Sequence, residues 1–354
     1  MRGRVIGALA AALALVLSGC SWMDGSYVSV TPHQVAVGQS DAGNARAVGS
    51  YTELRGALVG MIDEGSTEGL FSLTDYPREE AEADMARAVE YAMTVYPVGA
   101  YAVEDIHCSF GSGAVSVEIT YGRGREEIAG IHTVRRIEGA AQAIAEAMDE
   151  CAEKLVLQIS GYQDTDFTGI VRAYAQANPD RVMEIPAVEV RICPEQGDVR
   201  VVELVFRYST DRQTLRSMRE QVQPVFSSAA LYVTGDAGEW VKFSQLHAFL
   251  TERFDYQLQS AVTPAYSLLC QGVGDSQAFA QIYTALCSRI GLQAKSVSGT
   301  RNGEPHWWNL VSIDGAWYHL DLLGAKQFAP LTDEAMAGYE WDREALPAAT
   351  GTPE

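Results

Sequence analysis

The sequence has few of the residues that bind metal ions or nucleic acids. It contains six histidines and six cysteines among 354 residues, and no Cys-x-x-Cys pair, so it lacks the usual pattern of a zinc site. Its 26 basic residues are outnumbered by 46 acidic residues, and nucleic-acid phosphates would therefore repel it. We predict no metal site, no cofactor and no nucleic-acid partner.

Long apolar runs are confined to the N-terminus. Arg2 and Arg4 precede an apolar stretch over residues 6–17, which is too short to cross a bilayer as a mature helix. A basic start followed by a short apolar run is typical of a signal peptide. We therefore predict that residues 1–19 are a signal peptide.

The signal peptide ends in the motif Leu-Ser-Gly-Cys at residues 17–20, which resembles the bacterial lipobox. The resemblance implies cleavage before Cys20 and lipidation of Cys20. The lipid would tether the protein to the extracytoplasmic face of the cell membrane. Residues 20–48 then form the lipidated cysteine and a flexible tether, because residues 21–48 are rich in Ser, Gly, Gln, Asp and Ala and show no helical periodicity.

Residues 49–210 read as two diverged copies of one α-α-β-β unit. In each copy, two helical patterns precede two strands that are joined by a short polar turn. The predicted helices cover residues 51–64, 77–96, 137–155 and 167–177, and the predicted strands cover residues 101–110, 114–121, 187–193 and 199–208. The sequence of this region shows no cluster of catalytic residues, so we interpret the region as a binding or spacing module.

Residues 211–354 form a third predicted domain, in which helical patterns give way to a hairpin. Asp-Gly at 314–315 between apolar alternations is a strong hairpin signal. A two-residue turn pairs Ile313 with Ala316 and so brings His306 diagonal to Asp321 on one sheet face. The imidazole of His306 and the carboxylate of Asp321 are thus expected to meet. His319 shares that sheet face and is an alternative candidate for the general base.

A candidate nucleophile lies upstream, in the stretch LLCQGVGDSQAFAQIY at residues 268–283. Cys270 precedes a glycine-rich turn and an amphipathic helix, which is the setting of a thiol nucleophile at a helix N-terminus. Gln271 is a candidate oxyanion donor. Trp307 and Trp308 are candidate residues of a peptide-binding groove.

Residues 266–321 are similar to the bacterial transglutaminase-like domain of the papain-like superfamily. That family has Gly-Ile after a helix, a strand ending in Ser-Gly or Thr-Gly, and then His-x-Trp-Asn and Trp-Tyr-His-x-Asp. The corresponding segments of this chain are Gly291-Leu292, Ser298-Gly299, His306-Trp307-Trp308-Asn309 and Trp317-Tyr318-His319-Leu320-Asp321. The resemblance implies an α+β fold, with a helix packed on an antiparallel sheet, and a Cys–His–Asp triad that includes His306 and Asp321.

The same resemblance places serine, not cysteine, at the nucleophile position. Counting back about fifteen residues from Gly291 and about thirty from His306, the family's spacings, reaches Ser276 both times. Placing Cys270 there would need six extra residues in a helix whose apolar stripe is unbroken. The alternative role for Ser276 is that of a helix N-cap.

Serine at this position predicts loss of the family's activity. A thiolate is stabilised by a nearby imidazolium, whereas a hydroxyl stays protonated and needs a general base during attack. We therefore expect a catalytically degenerate domain that binds a peptide, a protein or cell-wall material. The alternative is an active peptidase or acyl transferase that uses Ser276 or Cys270 with His306 and Asp321.

Overall fold

The computed structural model describes residues 31–32, 45–73 and 75–351. The predicted signal peptide, Cys20 and most of the predicted tether lie outside these residues, so the lipoprotein hypothesis stays a prediction. Among the described residues, no helix combines the length and the apolar character needed to span a bilayer.

The first described strand, β1 (Thr31–Pro32), belongs to the sheet of the second repeat, and the first repeat follows it. The elements of the first repeat are β2 (Arg46–Val48), α1 (Tyr51–Glu64), β3 (Glu68–Leu73), α2 (Arg78–Thr94), α3 (Pro97–Ala102), β4 (Val103–Phe110) and β5 (Ala114–Tyr121). The strand order is β2-β3-β5-β4, in which β2 and β3 are parallel and the other pairs antiparallel.

The second repeat has the same topology. After the connecting α4 (Arg125–Ala129), its elements are β6 (His132–Val134), α5 (Ile137–Asp149), β7 (Lys154–Ser160), α6 (Phe167–Ala177), β8 (Ala187–Cys193) and β9 (Val199–Arg207). The order is β1-β6-β7-β9-β8, with β6 and β7 parallel and the remaining pairs antiparallel. Each unit is therefore β-α-β-α-β-β, not the predicted α-α-β-β.

The missed strand β7 shows why the prediction was wrong. Leu155 continues the apolar stripe of α5 in the sequence, but the helix ends at Asp149 and Leu155 lies on the strand. Cys151 has a left-handed backbone (φ 51°), which stops the helix and turns the chain into β7. A helical stripe and a buried strand cannot be told apart by a single apolar residue.

The two repeats pack against each other around a buried carboxylate. Glu203 on β9 accepts a hydrogen bond from the Tyr101 hydroxyl at 2.9 Å and pairs with Arg123 at 2.9 Å. Val156 and Val201 of the second repeat lie in the hydrophobic core of the first. The buried charge is thus paired and hydrogen-bonded, as an interior carboxylate must be.

The C-terminal region is a helix-on-sheet domain. Its elements are α7 (Arg212–Ser227), a 3-10 turn (Ala229–Tyr232), α8 (Glu239–Thr251), β10 (Asp255–Tyr256), α9 (Pro264–Tyr266), a π-helical turn (Ser267–Gln271), β11 (Val273–Gly274), α10 (Ser276–Arg289), β12 (Ala294–Arg301), β13 (Glu304–Ile313), β14 (Ala316–Leu320) and β15 (Tyr339–Glu340). The antiparallel sheet has the order β14-β13-β12-β15, and α10 packs on it. This confirms the predicted α+β class.

Helix α7 joins the second repeat to this domain through three arginines on one side of the helix. Arg212 donates to the Glu150 carbonyl at 2.8 Å, Arg216 donates to the same carbonyl at 3.4 Å, and Arg219 donates to the Asp149 carbonyl. These carbonyls are at the C-terminus of α5, where the helix dipole favours cations. The contacts hold the end of α5 against α7.

The hairpin that carries the candidate site has the predicted register. Asp314 and Gly315 both have positive φ (50° and 82°), which suits a two-residue turn between twisted strands, and Ile313 pairs with Ala316. Across the sheet, Gly299 lies opposite His306. A Cβ at Gly299 would be 2.1 Å from the Glu340 carbonyl oxygen, so only glycine fits there.

Candidate functional site

The hairpin brings His306 and Asp321 together. The Nε2 atom of His306 lies 2.9 Å from Oδ2 of Asp321, and both residues are buried (8% and 7% exposed). An ionised carboxylate accepts from the Nε2–H, so Nδ1 is the ring nitrogen left for another partner. This is the contact that the hairpin register predicts.

Three further groups bind the Asp321 carboxylate. Arg301 Nη1 is 3.2 Å from Oδ2, the Tyr339 hydroxyl donates to Oδ2 at 2.6 Å, and the Leu323 amide donates to Oδ1 at 2.9 Å. Burial alone raises the pKa of Asp321, but the hydrogen bonds from His306 and Tyr339 outweigh it, so the pKa lies below its usual value.

Sequence reasoning missed Arg301 and Tyr339. A signal existed for Arg301, because it lies two residues beyond Gly299 on the strand paired with His306, and so shares a sheet face with Gly299. No local pattern marks Tyr339, which reaches the site because β15 pairs with the end of β12.

Ser276 is the first residue of α10 and lies beside the His306 segment. Its hydroxyl oxygen accepts a hydrogen bond from the Trp307 amide at 3.2 Å, and the residue is 8% exposed. The N-cap of α10 is Asp275, whose carboxylate accepts from the Ala278 amide at 2.9 Å. The alternative role of Ser276 as the N-cap is therefore wrong.

Asn309 fixes the distance between the helix and the strand. Its side-chain amide donates to the Ala280 carbonyl at 2.8 Å and to the Thr284 hydroxyl at 2.9 Å, both on α10. Because Asn309 is on β13 with His306, these bonds hold Ser276 and His306 at a set separation. This contact gives a physical reason for asparagine at the end of His-Trp-Trp-Asn.

Cys270 lies away from the start of α10. It is an exposed residue of the π-helical turn, separated from the helix by Gly272 (φ 86°) and β11. Partial burial raises the pKa of its thiol, which is the opposite of the shift that activates a nucleophile. The structure thus brings Ser276, and not Cys270, against the strand that carries His306.

The predicted binding residues have different surroundings. Gln271 is exposed and its side-chain oxygen accepts from the Ser267 hydroxyl at 3.0 Å, so its oxyanion role stays a prediction. Trp307 is half-buried beside Ser276. Trp308 is fully buried and its indole N–H donates to His319, so the prediction that it lines a groove is wrong.

His319 is engaged elsewhere and does not act as a rival base. Its Nδ1 accepts from the Trp308 indole at 2.9 Å, and its Nε2 donates to Asp333 at 2.8 Å. Both ring nitrogens are therefore occupied in a fully buried residue. Over the described ranges, no group of three or more His, Cys, Asp and Glu residues is arranged to hold a metal ion.

The buried histidines His247 and His319 predict a loss of stability in acid. Burial lowers the pKa of His247, and it lowers the pKa of His319 despite the hydrogen bond to Asp333. Both therefore take up protons more readily when unfolded, so their contribution is full above the unfolded pKa of about 6.5 and falls below it. We expect a loss of up to about 1.4 kcal/mol per pH unit for each histidine.

Urea unfolding at pH 7.5 and pH 5.5 measures this dependence. His247→Phe should reduce the pH slope, because it removes one of the two imidazoles whose pKa is lowered by burial. The matched control is His107→Ala, which removes an exposed histidine. Equal slopes in His247→Phe and the unsubstituted protein would contradict the assignment.

Comparisons with known proteins give matches over part of the chain. Residues 229–322 match the sequence model of the transglutaminase-like superfamily. No curated protein sequence matches the chain.

Three solved structures resemble it in part. The first is a TGase, at 12% identity and a TM-score of 0.27, with 49% of this chain and 51% of that chain covered. The second, a candidate cysteine protease from Cytophaga hutchinsonii, has 12% identity and a TM-score of 0.27 over 44% of this chain and 70% of that chain. The third, a candidate protease from Parabacteroides distasonis, has 9% identity and a TM-score of 0.23 over 48% of this chain and 40% of that chain.

This chain thus spans about half of the length of the TGase that it resembles. The match to the superfamily covers the segment that contains Ser276, His306 and Asp321. Residues 229–322 therefore form a transglutaminase-like domain.

Proposed function

We propose that this chain is a lipid-anchored protein of the extracytoplasmic membrane face, whose transglutaminase-like domain binds a peptide or cell-wall material without turning it over. The observation that carries the proposal is the position of Ser276. It begins α10, and its hydroxyl contacts the residue that follows His306, where the family's chemistry calls for a thiol. The anchor rests on the lipobox-like motif at Cys20.

The chemistry of Ser276 with His306 supports a loss of catalytic activity. A thiol gives its proton to the imidazole before attack, so the family's site works from a thiolate–imidazolium pair. A hydroxyl must lose its proton during attack, to a base aligned with it. The hydrogen bonds of Ser276 and His306 run to the Trp307 amide and to Asp321, and the amide draws electron density from the serine oxygen.

Retention of the rest of the site supports a binding role. His306 and Asp321 remain buried and paired, and Asn309 still fixes the helix against the strand. Trp307, half-buried next to Ser276, offers an aromatic surface to a ligand. A site that is held this firmly can select a ligand with no bond being broken.

The proposal predicts that Ser276→Ala leaves ligand binding within about twofold of the unsubstituted protein, because one hydroxyl without a charged partner contributes little. Sedimentation with purified cell-wall sacculi measures binding. Trp307→Ala should weaken it about tenfold, since the lost aromatic contact is worth about 1.4 kcal/mol. Unchanged binding in Trp307→Ala would count against the Ser276–His306 region as the binding site.

The second candidate function is an active serine-dependent peptidase or acyl transferase. The intact His306–Asp321 pair favours it, because a Ser–His–Asp set catalyses acyl transfer when its atoms align. A fluorophosphonate probe followed by intact-mass spectrometry separates the two functions. We expect no adduct; an adduct that Ser276→Ala removes would overturn degeneracy. Inactivation of a turnover by iodoacetamide, lost in Cys270→Ala, would instead identify Cys270 as the nucleophile.

A further inference from the structure

We propose that strand β8 of the second repeat is the interface at which two copies of this chain pair, edge to edge and antiparallel, about Val190. The proposal goes beyond the proposed function, because β8 lies outside the transglutaminase-like domain. It rests on an open strand edge whose sequence is complementary to itself.

Strand β8 has an open outer edge. It is the last strand of its sheet and has β9 on its inner side. In the part of the chain that the structure describes, no backbone hydrogen bond outside the β8–β9 ladder involves residues 187–193. Four of its seven residues are exposed. The outward backbone N–H and C=O groups are therefore available to another strand.

The edge of β8 lacks the features that usually prevent such pairing. Edge strands are commonly protected by bulges, prolines or lysines. The equivalent edge strand of the first repeat, β4, has an irregular register between Val103 and Asp105. Strand β8 instead pairs with β9 in continuous register over all seven residues, and it contains no lysine, proline or glycine. It is therefore a regular template for one more strand.

The sequence of β8, AVEVRIC, is self-complementary about its central residue. In an antiparallel pair with Val190 opposite itself, residues equally distant from Val190 face each other. Glu189 then faces Arg191 of the second copy, and by symmetry Arg191 faces Glu189 of the second copy. Centring the pair on Glu189 or on Arg191 would instead place like charges opposite each other. Charge thus selects the register about Val190.

The apolar residues of β8 fit the same register. Val188, Val190 and Ile192 share one face of the strand, because side chains alternate along it. Val188 and Ile192 pack against the core of the second repeat, whereas Val190 between them is 39% exposed. In the paired strands Val190 meets its symmetry mate and Val188 meets Ile192. The pairing therefore buries apolar surface that a single copy leaves in water.

The charged face of β8 has an unused cation. Glu189 pairs with Arg207 of β9 at 2.6 Å. The Arg191 side chain is exposed and makes no ion pair or hydrogen bond with the described residues. A second copy would supply its carboxylate, and the Glu189 carboxylate can accept from two guanidinium groups at once.

The size of the interface sets the expected affinity. Seven residues from each copy form a small interface, of the class that binds weakly. We therefore expect a dimer with a dissociation constant on the order of 10 μM.

Sedimentation equilibrium over roughly 1 to 300 μM protein, a range that brackets this constant, measures the association. The experiment uses the mature chain under reducing conditions, with Cys20→Ser so that no lipid contributes. Arg191→Glu should raise the dissociation constant about tenfold, because it places two pairs of carboxylates opposite each other. Circular dichroism verifies that each variant is folded.

The reversed pair separates a charge contact from a structural effect. Glu189→Arg combined with Arg191→Glu restores both opposite-charge pairs and should return the constant to within about threefold of the parent. The matched control is Arg78→Glu, which changes the net charge equally at an exposed position of the first repeat. It should leave the constant within about twofold of the parent.

A cross-link tests the position of the symmetry axis. Residue 190 is opposite itself in the proposed dimer, so Val190→Cys should give a disulfide-linked dimer on mild oxidation. The background is Cys270→Ala, because Cys270 is the exposed cysteine among those described. The control is Leu70→Cys, at a 50% exposed position of β3, which should give only traces of dimer.

Three outcomes overturn the inference. They are a parent that stays monomeric over the whole concentration range, a folded Arg191→Glu that associates as tightly as the parent, and a Val190→Cys that cross-links no more than Leu70→Cys. Each is independent of the proposed function, since none of these measurements involves the ligand or Ser276.

Discussion

Replacing Trp308 by alanine is expected to lower the free energy of unfolding by about 3–5 kcal/mol. The side chain is fully buried in a core that also contains Val297 and Leu310, and its indole N–H donates to His319. The substitution opens a cavity and leaves the buried imidazole nitrogen without its donor. Two separate costs therefore add at one position.

Urea unfolding followed by far-UV circular dichroism measures the loss. Trp240→Ala is the matched control, because Trp240 is 37% exposed and should cost much less. Trp308→Ala should also weaken ligand binding, since the Trp308 ring packs parallel to the His306 ring with centroids 6.4 Å apart. Equal losses in the two tryptophan variants would show that Trp308 is not a core residue.

Arg289→Met is expected to cost about 3 kcal/mol, because it leaves the carboxylate of Asp180 buried without a partner. Asp180 follows α6 in the second repeat and is 4% exposed, while Arg289 is the last residue of α10. Their ion pair crosses from the second repeat to the transglutaminase-like domain. The substitution removes the charge and keeps most of the aliphatic stem.

The double variant Asp180→Asn with Arg289→Met should recover most of that loss, because the unpaired charge is removed as well. A surface pair provides the control: Arg207 and Glu189 are 63% and 64% exposed, so Arg207→Met should cost less than about 1 kcal/mol. A double variant as unstable as Arg289→Met alone would show that the cost comes from packing of the arginine stem.

The elements that the sequence predicts well are those with strong local signals. Helix α1 was predicted with its observed bounds, and Asp314-Gly315 sets the register of the hairpin. The strands β3 and β7 were missed because they lack such local signals. Each follows a helix closely, and its pairing depends on a partner far along the chain, which no local pattern reports.

The contacts of the candidate site also fall into those that the local sequence predicts and those that depend on distant parts of the chain. The contact between His306 and Asp321 follows from the turn between their strands, so it can be worked out from local register. Tyr339 depends on the return of the chain to the edge of β12. The burial of Trp308 depends on Met336 and Ala349, which cover the other face of the sheet and lie far beyond the hairpin.

The arginines of α7 also have a mechanical consequence. Arg212, Arg216 and Arg219 all hold the carbonyl end of α5, so a hinge motion at the start of α7 would have to break three contacts at once. A force applied to the second repeat would therefore be transmitted directly to the transglutaminase-like domain. The second repeat and the transglutaminase-like domain would then carry load as one stiff unit.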